Sequence, residues 1–263
     1  MILASSCTVN YYGFRFAQPV ASHWLSSCNL GGMELVIKGV KKSFKDKVVL
    51  DNVNLEAKGS DIIGIVGRSG CGKSTLLKIL VGYHKPDSGE ILLNQKNIST
   101  DMRALRRIVG YTTQENSFYE KLTVIENMRY YSALYGIQKS SKRIHSLLAQ
   151  VGLLEHRSSM AENLSGGMKR RLDFAISLLH NPDILILDEP ASGLDPMLTD
   201  QFWKIVKKVV SQEGKIVITS SHILSDVEKY CTKAAILDKG QVRKIFSQPR
   251  IRGLEEKFRE LLK

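Results

Sequence analysis

The chain has 263 residues, 43% of them hydrophobic and 24% charged, which is enough apolar material to bury a sizeable core and excludes wholesale disorder. No run of eighteen consecutive apolar residues occurs, which excludes a membrane-spanning helix and means that any role at a membrane requires a partner chain. With 38 Lys and Arg against 26 Asp and Glu, the formal charge of +12 admits nucleic acid, an anionic membrane surface or a polyphosphate ligand without choosing among them.

Residues 1–32 carry Arg15 as their only formally charged side chain, with scattered aromatics and a closing Gly31-Gly32. Asn10, Tyr11, Tyr12, Gly13 and Gln18 interrupt the apolar core that a secretory signal needs. The segment is read as a leader of unassigned role. Met33 is a candidate working start, because the patterned run Glu34-Leu35-Val36-Ile37 follows at once. Cys7, Cys28, Cys71 and Cys231 lack both metal-ligand spacing and the density of a secreted framework, pointing to a reduced intracellular setting without zinc or disulfides.

From residue 33 the chain alternates strand-like and helix-like runs, the pattern of an α/β protein. Leu35, Ile37 and Val40, then Val48 to Leu50 and Val53 to Leu55, predict antiparallel strands ahead of a compact buried strand at Ile62 to Val66. The next residues, 67–75, read GRSGCGKST and match G-x-x-x-x-G-K-[ST] between a strand and an amphipathic helix. Gly67, Gly70 and Gly72 allow the backbone to curl and present N–H groups to phosphate oxygens, with Arg68, Ser69 and Cys71 completing the loop. The helix starting near Lys73 aims its positive end at the same anion, and Lys73 adds a point charge at the β- and γ-phosphates. Ser74 offers a hydroxyl to Mg²⁺, and Thr75 reaches the α-phosphate side. Cys71, at a helix N-terminus beside Lys73, is expected to favour its thiolate, so that alkylation there would block nucleotide binding.

Thr123 and Glu126 form a capping box for a helix through Tyr135 that Gly136 ends, and a second helix is predicted from Ser141 to Val151. Phe118, Tyr119, Tyr130, Tyr131 and Tyr135 are either core residues or apolar anchors for a partner's helix. Leu164-Ser165-Gly166-Gly167 opens an amphipathic helix expected to run to Pro182, with Ser165 as its cap. Ile184 to Leu187 is a strand apolar on both faces that ends in Asp188-Glu189. Asp188 is placed to hold Mg²⁺ through water, and Glu189 to orient and polarise an attacking water. Ile251, Leu254, Phe258 and Leu261 lie at helical spacing, predicting a closing helix packed on the body or lying on a membrane surface.

The order of phosphate loop, LSGG and Asp-Glu strand resembles the ATP-binding cassette (ABC) ATPases, over residues 33–240. The resemblance implies a P-loop NTPase core of RecA-like type with a parallel sheet, an N-terminal antiparallel β subdomain and an α-helical subdomain at about 115–165, followed by a strand and helix extension at 241–263. It implies that Gln114 senses Mg²⁺ and the attacking water, that His222 contacts the γ-phosphate and that Phe44 stacks on adenine. It further implies that Ser165, Gly166 and Gly167, with Asp195, meet a nucleotide held by a second cassette. Ala191 departs from the Thr often found after the family's Asp-Glu-Pro, outside the catalytic set.

Met168, Lys169-Arg170-Arg171 and the LTVIEN segment resemble cassettes that serve exporters whose membrane domain is a separate chain. The expected ligands are therefore ATP and Mg²⁺. The expected partners are a separate transmembrane permease subunit and a second cassette, identical or related, on the cytoplasmic face of the cell membrane. Nucleic acid is not expected. The competing readings are a soluble cassette acting on nucleic acid or ribosomes, which usually carries two cassettes or added modules in one chain, and a soluble assembly scaffold.

Overall fold

The computed structural model describes residues 32–262. The leader read at 1–32 lies outside the described residues except for Gly32, as do Cys7 and Cys28. Two sheets organise the fold. A four-stranded antiparallel sheet in the order β2-β1-β4-β5 comprises β1 (Glu34–Phe44), β2 (Lys47–Lys58), β4 (Ser88–Leu93) and β5 (Lys96–Asn97). A six-stranded sheet in the order β10-β9-β3-β8-β7-β6 comprises β3 (Ile62–Val66), β6 (Val109–Thr112), β7 (Ile184–Asp188), β8 (Ile216–Ser220), β9 (Lys233–Asp238) and β10 (Gln241–Ser247). Its strands are parallel except for β10, which returns antiparallel to β9.

The parallel strands are apolar on both faces because each feeds two cores. Ile62, Val66, Leu185, Leu187 and Val217 face a core shared with the helices, whereas Ile63, Ile65, Ile184, Ile186, Ile216 and Ile218 face the antiparallel sheet and α1 (Lys73–Leu80). Alternation with period two thus explains why runs such as Ile184 to Leu187 contain no polar residue. The first core is completed by α3 (Val124–Leu134), α4 (Ser141–Gln150), α5 (Gly166–Ser177), α6 (Pro196–Glu213) and α7 (Leu224–Tyr230).

The capping box is present as drawn from sequence: Glu126 N donates to Thr123 Oγ1 at 3.3 Å, and Thr123 N donates to Glu126 Oε2 at 2.8 Å. Other expectations need correction. Val48 to Leu50 and Val53 to Leu55 belong to one strand, because Asn52 adopts a left-handed φ of 56° and lets β2 bulge rather than break. The helix after LSGG stops at Ser177, before Pro182; the Ser177 hydroxyl donates back to the Phe174 carbonyl at 2.7 Å, and tighter turns replace the helix. The closing helix, α8 (Leu254–Leu261), starts after Ile251, where the Glu228 carboxylate accepts the N–H groups of Gly253 and Leu254 at 3.1 and 3.3 Å. Ile251 and Leu254 are fully buried, so this end of the segment packs on the body. The strands β4 and β5 and the helix α2 (Met102–Ile108), none read from sequence, fill residues 88–108.

Candidate active site

Parallel pairing brings the C-terminal ends of β3, β6, β7 and β8 to one edge of the sheet. Gly67, Gln114, Glu189 and Ser221-His222 follow these four ends, which is where open α/β sheets place ligands.

The phosphate loop is shaped by steric necessity. Gly72 sits at φ 113°, a conformation closed to side chains, and a Cβ on Gly67 would lie 2.2 Å from the Leu237 carbonyl oxygen. Lys73 arches over the loop, its Nζ donating to the carbonyls of Gly67 at 2.8 Å and Arg68 at 3.2 Å. The first turn of α1 contains no acidic residue and no side-chain cap, so its N–H groups and Lys73 form a cationic cradle without an internal anion. Ser69, Gly70 and Ser74 are exposed on this loop, and Thr75 is half-buried. Arg68 turns elsewhere: its Nη2 donates to the Leu262 carbonyl at 3.0 Å, tying the loop to the end of α8.

Cys71 corrects its expectation. It is 7% exposed, with Sγ lying beneath Gly67, and burial raises its thiol above the ordinary value despite the opposing pull of Lys73. The side chain points into the body rather than to the anion cradle, so desolvation outweighs the cation.

Asp188 and Glu189 are arranged by one hydroxyl. Ser220 Oγ donates to Asp188 Oδ1 at 2.5 Å and accepts the Glu189 backbone N–H at 3.0 Å. Tyr111 Oη lies 3.5 Å from Asp188 Oδ2. Glu189 has a φ of 49°, a left-handed backbone conformation that ends the strand at Asp188. Its Oε2 is 3.3 Å from His222 Nδ1 and 3.5 Å from Gln114 Nε2, so three residues read separately from the sequence converge on one point. His222 and Gln114 are both exposed, leaving this point accessible. Such a cluster can hold a water between a base and two polar orienters.

Ser165, Gly166 and Gly167 form a second group. Ser165 caps α5 by accepting Met168 N–H at 3.3 Å, and Asp195 caps α6 by accepting Leu198 N–H at 2.9 Å. Gly166 and Gly167 pack against Leu194 and Leu198 of the adjoining segment, and α5 has no acid in its first turn. This is a second helix end of the kind that attracts anions.

Phe44 is 40% exposed, with its ring edge-on to His84 at 5.1 Å and Lys42 Nζ at 5.4 Å. Tyr83 is also edge-on to His84, at 4.7 Å. Partial burial, then Lys78 and Lys42, hold the His84 imidazolium below its usual range, so the aromatic group is neutral at pH 7. Sequence reasoning found Phe44 but not His84, whose only signal is its place just after α1.

The five helical-region aromatics divide. Phe118 is core, Tyr135 stacks on His180 at 4.3 Å and Tyr131 packs against the core, whereas Tyr119 and Tyr130 are exposed with hydroxyls 3.1 Å apart.

As a magnesium site, the exposed Ser74 hydroxyl, the Asp188 carboxylate and Gln114 offer the hard oxygen donors that Mg²⁺ prefers. Among the described residues there is no cluster of three or more His, Cys, Asp or Glu able to cage a metal.

A family model described as "ABC transporter" matches residues 50–192, over half of the chain. The "Nod factor export ATP-binding protein I" of Cupriavidus metallidurans is 33% identical over 209 residues, covering 79% of this chain and 69% of that protein. The "Linearmycin resistance ATP-binding protein LnrL" of Bacillus subtilis is 32% identical over 210 residues, covering 79% of this chain and 67% of its own length. The "Probable multidrug ABC transporter ATP-binding protein YbhF" of Escherichia coli is 34% identical, and the match spans 36% of that longer protein. A solved "ATP binding subunit of ABC transporter" superposes with a TM-score of 0.76 at 28% identity, covering 87% of this chain and 99% of its own. A dimeric bacterial cassette, MJ0796, superposes with a TM-score of 0.71 at 27% identity, covering 83% and 99%. No helix of the described residues is long and apolar enough to cross a membrane. On the family match and the fold together, the chain belongs to the ABC transporter family as an ATP-binding cassette that hydrolyses ATP.

Proposed function

We propose that two cassettes close head to tail on two MgATP molecules and that this closure drives export through a separate membrane-spanning permease. The single observation carrying the reading is that the chain presents two helix ends suited to an anion, those of α1 and α5, neither with an acid in its first turn. The cradle of Lys73, the Asp188-Glu189 pair, Gln114 and His222 gather at one sheet edge, while the Ser165 helix end packs with the Leu194–Leu198 segment. In the closed pair the Ser165 end of one chain meets the cradle of the other. Lys73 and the loop N–H groups bind the β- and γ-phosphates, Phe44 faces adenine, and Ser165 and Gly167 of the other cassette close on the γ-phosphate.

Ser74, Asp188 and Gln114 would hold Mg²⁺, which would supply charge neutralisation at the phosphates. Glu189 accepts a hydrogen bond from the attacking water and polarises it, with Gln114 and His222 fixing its orientation through their contacts with Oε2. Contacts with the γ-phosphate favour the closed dimer, and hydrolysis releases them.

Export, rather than import, is supported by the printed names of relatives, one concerned with Nod factor export and another with linearmycin resistance. The chain would then sit on the cytoplasmic face of the cell membrane, paired with itself or with a related cassette, without nucleic acid. The test is to express tagged Glu189→Gln protein in its native cell, trap it with MgATP and solubilise membranes in detergent. Stoichiometric recovery of a multi-spanning membrane protein is expected. Recovery of soluble protein or nucleic acid alone refutes the transport assignment.

A further inference from the structure

The helix that begins at Ser165 holds the Gln114 segment at two points. Arg170 and Asp173 lie one turn apart on α5 and point the same way. Arg170 is 8% exposed, and its guanidinium donates to two consecutive carbonyls, Thr113 at 3.0 Å and Gln114 at 2.5 Å. Asp173 is 1% exposed, and its Oδ1 accepts both the Ser117 backbone N–H at 3.1 Å and the Ser117 hydroxyl. The Ser117 carbonyl in turn accepts the Tyr131 hydroxyl of α3. Residues 113–117 are therefore gripped from both helices, with the exposed Gln114 side chain left to reach Glu189.

Two charged side chains buried on a helix face are a costly way to pack, since apolar residues of similar volume serve the fold as well or better. One Asp173 oxygen, Oδ2, is buried without a hydrogen-bond partner, so the arrangement is not optimised for stability. What the pair does achieve is orientation. A planar guanidinium bridging two adjacent carbonyls fixes the peptide on either side of the Gln114 Cα, from which the amide side chain is directed.

We propose that Arg170 and Asp173 are positioning residues for Gln114 in ATP hydrolysis, and that Tyr131 ties the same segment to α3 beside the exposed pair of Tyr119 and Tyr130. This rests on the reading that Gln114 orients the attacking water. The consequence is mechanical: displacement of α5 at its Ser165 end, or of α3 at its tyrosine face, reaches Gln114 through its own backbone.

The experiment is steady-state ATPase kinetics on the purified full chain for Gln114→Ala, Asp173→Ala, Asp173→Asn, Tyr131→Phe and the Gln114→Ala/Asp173→Ala double variant. Displacing a catalytic orienter by even 1 Å costs up to about a hundredfold, so Asp173→Ala should lower kcat at least about tenfold. KM for ATP should change much less than kcat, because Lys73 and the phosphate loop are untouched and only the Gln114 contact is displaced. Asp173→Asn retains an acceptor and should recover part of the loss. The discriminating result is the double variant, which should be no slower than Gln114→Ala alone, whereas a general structural defect would add to it. Additive losses overturn the proposal, as does parental kcat in both Asp173→Ala and Tyr131→Phe. If Asp173→Ala does not fold, Tyr131→Phe, which removes one hydroxyl, decides alone: parental kcat overturns the proposal and a fall in kcat much larger than any change in KM upholds it. Parental kcat in Gln114→Ala would refute the role of Gln114 and the proposal with it, while loss there without loss in the other variants refutes the proposal only.

Discussion

Asp173→Asn should stabilise the protein at alkaline pH and lose most of that advantage in acid. Burial pushes the Asp173 carboxyl from an ordinary 3.8 up to about 6, against the opposing effects of the Ser117 hydrogen bonds and Arg170. The folded state thus holds this proton more tightly than the unfolded state. Stability falls as pH rises through the interval between 3.8 and about 6 and levels off above it. At about 1.4 kcal/mol per pH unit, the ionised carboxylate costs the folded protein about 3 kcal/mol at pH 8. An amide of the same shape carries no such cost. The difference in stability between D173N and the parent should therefore shift in favour of D173N by about 2.4 kcal/mol between pH 4 and pH 8, since about 0.6 kcal/mol of the cost is already present at pH 4. For a chain of this size that is a relative change in Tm of about 5 °C. Urea midpoints and thermal melts of both proteins at pH 4, 6 and 8 provide the assay, since background titrations cancel in the difference. A difference that stays constant across this range, or that moves against D173N as pH rises, refutes the reasoning.

His180 should behave with the opposite sign. Burial lowers its imidazolium to about 4, so the stability conferred by neutral His180 is lost as pH falls from 6.5 toward about 4, and His180→Phe should flatten that limb of the melting profile. Glu189→Gln should leave ATP binding intact while slowing turnover and accumulating ATP-dependent dimers on size-exclusion chromatography; turnover at the parental rate would remove Glu189 from the reaction. Lys73→Ala should weaken nucleotide affinity itself, measured by calorimetry, and full affinity would contradict the cradle formed with the Gly67 and Arg68 carbonyls. Cys71 should alkylate slowly in the native protein at pH 7.5, by intact mass, because its thiol is buried and its ionisation suppressed; reaction as fast as in urea-unfolded protein would contradict this.

The phosphate loop and the Asp188-Glu189 strand end were legible because their chemistry is executed by backbone and by consecutive residues, which sequence displays directly. The convergence of Gln114, Glu189 and His222 depends on three strands lying side by side, and it became readable only through the family's motif order. Arg170 and Asp173 were hidden for a general reason. In KRRLDFAIS, charged residues opposite an apolar stripe look like a solvated face, and only packing against residues 113–117 buries them. The burial of Cys71 is invisible in the sequence because position in a loop does not reveal which way a side chain points. The turn at Asn94-Gln95, with φ values of 48° and 66°, left too little apolar pattern for β4 and β5 to register as strands.

The bond from Arg68 to the Leu262 carbonyl links segments far apart in the sequence. Through this side chain the residue after Gly67 and the residue that closes α8 are joined, so the loop and the last helix do not move independently while the bond lasts.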